Sequence, residues 1–267
     1  MRVTRTKIVA IVLIVACTGV ALAFWRFEAT RSRAPFDLSE LPAPCRETRF
    51  EQTAYIVCEI DLRKFDVGIF HSGPDGKAYG SLDAFDKAMA GRGTRVQLAM
   101  NAGMYHEGLG PVGLLVENGR ELSPVEASDG EGNFYLKPNG IFLIGQDGKA
   151  AVMETGKFLA AHPAAKFATQ SGPMLVIGGA IHPKFLPDGT SKYTRNGVGV
   201  RDPGTVELAI SLSEVSLGSF ARLFRDELQC PNALFLDGAI STLSNGERTL
   251  LGGEHPVGPI LAVKDRR

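Results

Sequence analysis

The sequence predicts an α+β fold, a strand-rich single domain with a largely antiparallel or mixed sheet and a few packed helices. Its 31 glycines and 15 prolines in 267 residues favour many turns, and therefore short strands over long helices. Short apolar runs end repeatedly in turn-forming pairs, as in antiparallel hairpins. Two segments instead have apolar residues at helical spacing.

The predicted strands are apolar runs bounded by turn residues. They are Tyr55–Leu62, Asp66–Phe70, Gly113–Glu117, Ile141–Ile144, Ala150–Met153, Met174–Ile177, Val198–Arg201, Val206–Ser211 and Ala233–Leu236. Asn118-Gly119 is the strongest short hairpin signal, and Asp147-Gly148, Gly178-Gly179 and Asp202-Pro203-Gly204 separate other pairs of runs. We therefore expect most neighbouring strands to pair antiparallel.

Serine residues mark the start of both predicted helices, because their hydroxyls can cap free backbone N–H groups. The first helix follows Ser81 and ends at Gly91. The second covers Phe220–Leu228, with either Ser216 or Ser219 as its cap.

Residues 1–25 have the pattern of an export signal or membrane anchor. Three basic residues precede an apolar run from Ile8 to Trp25. Cleavage after Ala23, lipidation of Cys17 and an uncleaved anchor all fit this pattern. Each predicts an exported domain, periplasmic or otherwise extracytoplasmic, with attachment to the inner membrane in the anchored case.

Residues 26–44 are proline-containing and lack periodicity, which predicts a linker. Residues 45–267 then form one domain, since they contain neither an internal repeat nor a second linker. Without residues 1–23 the chain has 26 basic and 29 acidic residues, a net charge of about −3. It has no basic block, so nucleic acid is not an expected partner.

Three cysteines remain in the predicted exported domain, enough for one intramolecular disulfide. We predict that Cys45 pairs with Cys58, because the charged stretch 46–49 between them can turn back as a hairpin. Cys230 precedes a proline at a predicted helix-to-strand junction. The alternative is that all three are buried and reduced.

The motifs of common hydrolases, phosphate-binding loops and zinc sites are absent from the sequence, and its five histidines lack metal-ligand spacing. We therefore expect neither a cofactor nor a metal. Five stretches instead combine small and polar residues, which suit either ligand-binding loops or ordinary turns. They are Ala99–Tyr105, Lys137–Gly140, Thr169–Met174, Tyr193–Gly199 and Leu236–Thr242.

Together, these stretches resemble the motifs of the phosphodiester glycosidase family, particularly its bacterial exported branch. The matching segments are Asn101–Tyr105, Ser171–Leu175, Arg195 with Gly199, and Asp237–Ser241. The resemblance covers roughly residues 45–264. It implies hydrolysis of a sugar 1-phosphodiester, in which a glycosyl group such as an N-acetylhexosamine is joined through phosphate to a second alcohol.

The resemblance also implies roles for three catalytic residues. Arg195 would neutralise the phosphodiester, Asn101 would add a neutral donor, and Asp237 would act as nucleophile or general base. Glu107 and Glu117 are weaker candidates for an acid. The expected substrate-binding residues are Gly103, Asn139, Gln170, Ser171, Gly172, Asn196, Gly238 and Ser241.

A different class of function fits the same amide-rich composition. A non-catalytic envelope module that binds glycan, or assists exopolysaccharide assembly, would also present asparagine, glutamine and serine side chains. Asp237 and Arg195 discriminate between the two hypotheses, because a glycan-binding module needs no buried charged pair.

Overall fold

A computed structural model describes residues 37–266. The predicted export signal or anchor, 1–25, and residues 26–36 of the predicted linker lie outside the described residues. Within the described part, no helix is long and apolar enough to cross a membrane.

The described chain contains seventeen strands and three short α-helices. The strands are β1 (Cys45–Phe50), β2 (Thr53–Asp61), β3 (Phe65–Phe70), β4 (Val96–Asn101), β5 (Leu115–Glu117), β6 (Arg120–Ser123), β7 (Gly140–Gly145), β8 (Ala150–Glu154), β9 (Ala165–Ser171), β10 (Met174–Ile177), β11 (Ala180–Ile181), β12 (Asn196–Asp202), β13 (Thr205–Ser211), β14 (Asn232–Phe235), β15 (Leu243–Ser244), β16 (Thr249–Leu251) and β17 (Ile260–Asp265). The helices are α1 (Leu82–Ala90), α2 (Thr155–Ala161) and α3 (Leu217–Arg222), which continues as a π-helical turn, Leu223–Glu227. Leu38–Glu40 and Asn133–Tyr135 form 3₁₀ turns.

The strands form three antiparallel sheets. A seven-stranded sheet has the order β1-β2-β13-β12-β14-β10-β11, and the two five-stranded sheets have the orders β16-β15-β4-β17-β3 and β6-β5-β9-β7-β8. The prediction of a strand-rich, antiparallel domain is confirmed. The α+β class is wrong in its helical part, because the fold is mostly β: turns join most strands directly, which leaves little chain for helices.

Turn chemistry predicted the hairpins correctly. Asn118 and Gly119 both have positive φ, 51° and 77°, as the two-residue turn between β5 and β6 requires. The other three turn signals join β7 to β8, β10 to β11, and β12 to β13. Serine caps both helices as predicted, since Ser81 Oγ accepts from Ala84 N and Ser216 Oγ from Ser219 N, each at 3.1 Å. Of the two alternatives for the second helix the cap is Ser216, so the helix begins at Leu217, three residues before the predicted Phe220.

Several strands carry no clear sequence signal. The polar stretch 46–49 is part of β1, at the edge of its sheet, and the chain reverses later, at Glu51-Gln52. These two residues have positive φ but are poor turn formers by type, so the reversal was misplaced. Two predicted polar loops also begin as strands, because β4 includes residues 99–101 and β9 includes residues 169–171.

Helix α3 and its π turn cover one face of the seven-stranded sheet. The rings of Phe220 and Phe224 lie against Gly197, where a Cβ atom would stand 3.1 Å from each ring. A Cβ at Gly199 would stand 2.6 Å from Cys230 Sγ. The two glycines in β12 therefore let the helix approach the strand whose first residues enter the candidate site.

The predicted disulfide is confirmed. Cys45 and Cys58 are directly opposite in β1 and β2 and are bonded, while Cys230 is a buried free thiol. Such a bond is typical of a protein that matures in an oxidising compartment.

Reducing this disulfide should lower the free energy of unfolding by about 3 kcal/mol, because the bond closes a loop of 13 residues in the unfolded chain. Denaturant titrations with and without a strong reductant measure the difference. A Cys45→Ala variant, which cannot form the bond, is the control and should not respond to reductant. An unchanged wild-type midpoint in reductant would contradict the prediction.

Candidate functional site

The five polar stretches of the sequence meet at one end of the sheets. Backbone hydrogen bonds join them in a continuous series. These run from Asp237 N to Ala102 O (3.3 Å), Leu236 N to Asn196 O (3.1 Å), Phe235 N to Pro173 O (3.1 Å) and Met174 N to Pro138 O (3.0 Å). One bond to a side chain completes the series, from Gly103 N to Thr169 Oγ1 (3.2 Å). Segments far apart in the chain thus form one polar cluster.

The buried side chain of Asn101, at the end of β4, joins three of these segments. Its Nδ2 donates to Asp237 O at 2.7 Å. Its Oδ1 accepts from Asn196 Nδ2 at 2.9 Å and from Thr242 N at 3.0 Å. The sequence predicts that Asn101 and Asn196 contact the substrate, but the Nδ2 group of each donates to protein atoms. Asn196 Oδ1 is buried and has no partner among residues 37–266. Asn101 therefore positions the turn that carries Asp237.

Asp237 follows β14 in a tight turn, and its carboxyl is partly buried. Burial raises its pKa to about 6, although a hydrogen bond from the Ala239 backbone opposes the rise. Ser241 Oγ donates to Gly238 O at 2.7 Å and closes the turn. A Cβ at Gly238 would stand 2.6 Å from the Phe235 ring, so no larger residue fits there. Gly238 and Ser241 thus shape the turn.

Tyr105 is a member of the polar cluster but is not among the predicted site residues. Burial, together with the nearby charge of Asp237, raises its pKa to about 12. Its hydroxyl donates to Pro256 O, and its ring fills the space above Gly258. The signal in the sequence was its place four residues after Asn101, inside the first matching motif.

Arg195, just before β12, is a buried cation. Nε donates to Val215 O at 2.8 Å and Nη2 to Ser191 O at 3.0 Å. The guanidinium carbon lies 5.2 Å from the Phe235 ring centre and 5.6 Å from that of Tyr193. Burial lowers its pKa to about 10.

No carboxylate of the described residues forms an ion pair with Arg195. Its neighbour Thr194 does approach the Asp237 turn, since a Cβ at Gly238 would stand 3.2 Å from Thr194 O. The two segments are therefore adjacent, while the side chains of Arg195 and Asp237 are not bonded to each other. Their action as one site remains a prediction.

The other predicted binding residues support neighbouring loops. Gln170 Oε1 accepts from Leu114 N at 3.0 Å and Glu126 N at 2.9 Å, and its Nε2 donates to Glu126 O at 2.6 Å. Asn139 Nδ2 donates to Phe134 O at 2.9 Å. These buried amides hold the segments around residues 114, 126 and 134.

Two of the predicted glycines are required by close packing. A Cβ at Gly103 would overlap Gln170 O, and one at Gly172 would stand 2.6 Å from Phe134 O. Ser171, between Gln170 and Gly172, is fully buried, and its hydroxyl has no partner among residues 37–266.

The weaker acid candidates, Glu107 and Glu117, have different surroundings. Glu107 is exposed in the loop after Tyr105. Burial raises the pKa of Glu117, but this residue ends β5 on the side away from the cluster, since Leu115 is the residue that pairs with Thr169. Across the described residues, no three His, Cys, Asp or Glu side chains are grouped as a metal site.

Comparison with known proteins identifies related sequences. The model of the phosphodiester glycosidase family matches residues 94–264. The uncharacterized protein YigE of Escherichia coli (strain K12) is 36% identical over 167 residues, which are 62% of this chain and 65% of that protein. The alignment thus spans just under two thirds of the length of this relative.

Two solved structures share the fold. The zebrafish N-acetylglucosamine-1-phosphodiester alpha-N-acetylglucosaminidase catalytic domain, auto-inhibited by its pro-peptide, aligns with a TM-score of 0.59 and 17% identity, covering 83% of this chain and 82% of that chain. A hypothetical protein from Synechocystis aligns with a TM-score of 0.54 and 14% identity, covering 83% and 61%. At these identities the similarity concerns the fold alone.

The raised pKa of Asp237 predicts a pH-dependent stability difference. The carboxyl has an ordinary pKa of 3.8 when unfolded and about 6 when folded, so wild-type stability falls as pH rises through this interval. Asp237→Asn cannot ionise and should exceed the wild type by about 1–2 kcal/mol at pH 7.5, with a smaller advantage at pH 4. Denaturant unfolding at both pH values measures this. The raised pKa would be contradicted if the stability advantage of Asp237→Asn over the wild type were smaller at pH 7.5 than at pH 4.

Proposed function

Since the chain belongs to the phosphodiester glycosidase family, we propose that it is an exported hydrolase that cleaves a sugar 1-phosphodiester in envelope or extracellular glycans. The glycosyl group would be a hexose derivative such as an N-acetylhexosamine. The zebrafish enzyme with the same fold carries N-acetylglucosamine-1-phosphodiester in its name, which supports this choice of linkage.

The observation that carries the proposal is the buried guanidinium of Arg195 without a carboxylate partner among the described residues. Removing a cation from water costs several kcal/mol unless other charges or hydrogen bonds compensate. Two carbonyls and two aromatic rings compensate in part. A bound phosphodiester would supply the missing negative charge, and the planar guanidinium suits two phosphate oxygens.

Asp237 would act as nucleophile or general base. With a pKa of about 6 it is mostly ionised at neutral pH, yet it is basic enough to accept a proton. Ordinary glycosidases need a second carboxylic acid to protonate the leaving oxygen. A phosphate leaving group is much less basic than a sugar alcohol, so this reaction does not require that acid. Asn101 would serve this step by holding the Asp237 backbone.

Variants of the two charged residues test the proposal. Asp237→Asn should lower kcat/KM for a sugar 1-phosphodiester by about 10²–10⁴-fold, and Arg195→Lys by about 10²-fold because it loses the planar fork. If the residues act as a unit, the double variant should be hardly worse than the poorer single one. Wild-type kcat/KM should rise about tenfold per pH unit below pH 6 and level off above it.

Asp202→Asn is the matched control, because this aspartate lies in an exposed turn of the same sheet. It should retain wild-type activity. Product analysis in labelled water identifies whether the C–O or the P–O bond breaks. Wild-type rates in both Asp237→Asn and Arg195→Lys would overturn the catalytic roles and favour a glycan-binding module.

Export is the second part of the proposal, with a periplasmic location and either a cleaved signal or attachment to the inner membrane. The disulfide supports it, because such bonds persist in oxidising compartments. A fusion of residues 1–40 to a reporter that is active only outside the cytoplasm should be active. A fusion of residues 38–80 is the control and should be inactive. Equal activity of a cytoplasmic reporter on the 1–40 fusion would contradict export.

A further inference from the structure

Tyr193 is an exposed aromatic residue beside the polar cluster. It lies in the segment 182–194, which joins β11 to β12 and leads directly into Arg195. Among the described residues, the most exposed large hydrophobic side chains are Leu186 (71%) and Tyr193 (57%), and both lie in this segment. A single exposed ring needs no explanation by itself, but this ring lies against the buried guanidinium of Arg195.

The backbone of Tyr193 is fixed. Its N–H donates to Val215 O at 3.2 Å, and Val215 N donates to Tyr193 O at 2.9 Å. Arg195 also holds the segment by donating from Nη2 to Ser191 O. The ring is therefore presented from a rigid position, unlike a side chain at a free loop tip, and little conformational entropy is lost when a ligand binds it.

The surroundings of the ring differ on its two sides. The guanidinium carbon of Arg195 lies 5.6 Å from the ring centre, within cation–π distance. More than half of the side chain is nevertheless exposed, so part of the ring is open to solvent. A ligand phosphate on Arg195 would place its attached group within reach of this open surface.

We infer that Tyr193 binds the sugar by stacking against the C–H face of a pyranosyl ring attached to the phosphate. A pyranose has an apolar face of C–H groups, and a rigid aromatic ring is its natural partner in water. Tyr193 thereby selects cyclic sugar esters over small phosphodiesters. This inference rests on the proposed function, because it assumes that Arg195 binds the phosphate.

The test is calorimetric binding to the full chain carrying Asp237→Asn, which limits turnover. The ligands are the methyl phosphodiester of N-acetylglucosamine 1-phosphate, the corresponding methyl glycoside and dimethyl phosphate. Adding Tyr193→Ala should weaken binding of the sugar phosphodiester about tenfold and leave dimethyl phosphate unchanged. Tyr193→Phe keeps the ring and should bind all ligands like the parent.

Leu186→Ala is the matched control, since it removes an even more exposed apolar side chain from the same segment, and it should change nothing. If Tyr193→Ala weakens dimethyl phosphate and the sugar phosphodiester by the same factor, the ring only shields Arg195 and the inference is wrong. An unchanged affinity for the sugar phosphodiester overturns it as well.

The methyl glycoside separates this inference from the proposed function. If the parent binds the glycoside as tightly as the phosphodiester, and Tyr193→Ala weakens both, the stacking role stands and the phosphate-binding role of Arg195 fails. If the parent binds none of the three ligands, both are overturned.

Discussion

The hydrogen bonds of the buried Asn101 side chain are the interaction on which the arrangement of the site depends. They join β4 of one sheet to β12 of another and to the turn after β14. Leaving a buried amide unpaired costs about 1–3 kcal/mol. Moving any of these segments away would break its bond to Asn101 and incur this cost, so the bonds hold the segments in place. Asp237 is consequently held by two sheets as well as by the bonds within its own turn.

The same end of the molecule contains groups that burial makes unfavourable. The pKa of Asp237 is raised and that of Arg195 is lowered, which means that the fold opposes the charged form of each. A protein selected for stability alone would pair or replace such groups. Two such groups in one polar cluster are the pattern expected where charge serves a ligand.

Sequence reasoning succeeded where one residue type determines one local structure. Asn118-Gly119 specified a turn and Ser81 a helix start, while the second helix start was narrowed to Ser216 or Ser219. Cys45 was paired correctly with Cys58, although the turn between them was misplaced. It failed where the determinant is tertiary. Strand β1 is at the edge of its sheet among residues 37–266 and none of its residues is fully buried, so it lacks an apolar pattern. Tyr105 is recognisable only from its tertiary contacts with Pro256 and Gly258.

The site shows why polar composition alone does not identify binding residues. The side chains of Asn101, Asn139 and Gln170 are the groups that a glycan-binding module would present, yet each is committed to protein backbone. Sequence shows that a donor exists but not whether the fold has already used it. Within the polar cluster, Arg195 and Asp237 are charged groups without an oppositely charged partner among the described residues. Because an unpaired buried charge gains more from an oppositely charged partner than an unpaired amide or hydroxyl does, the arrangement favours an ionic ligand over a neutral glycan.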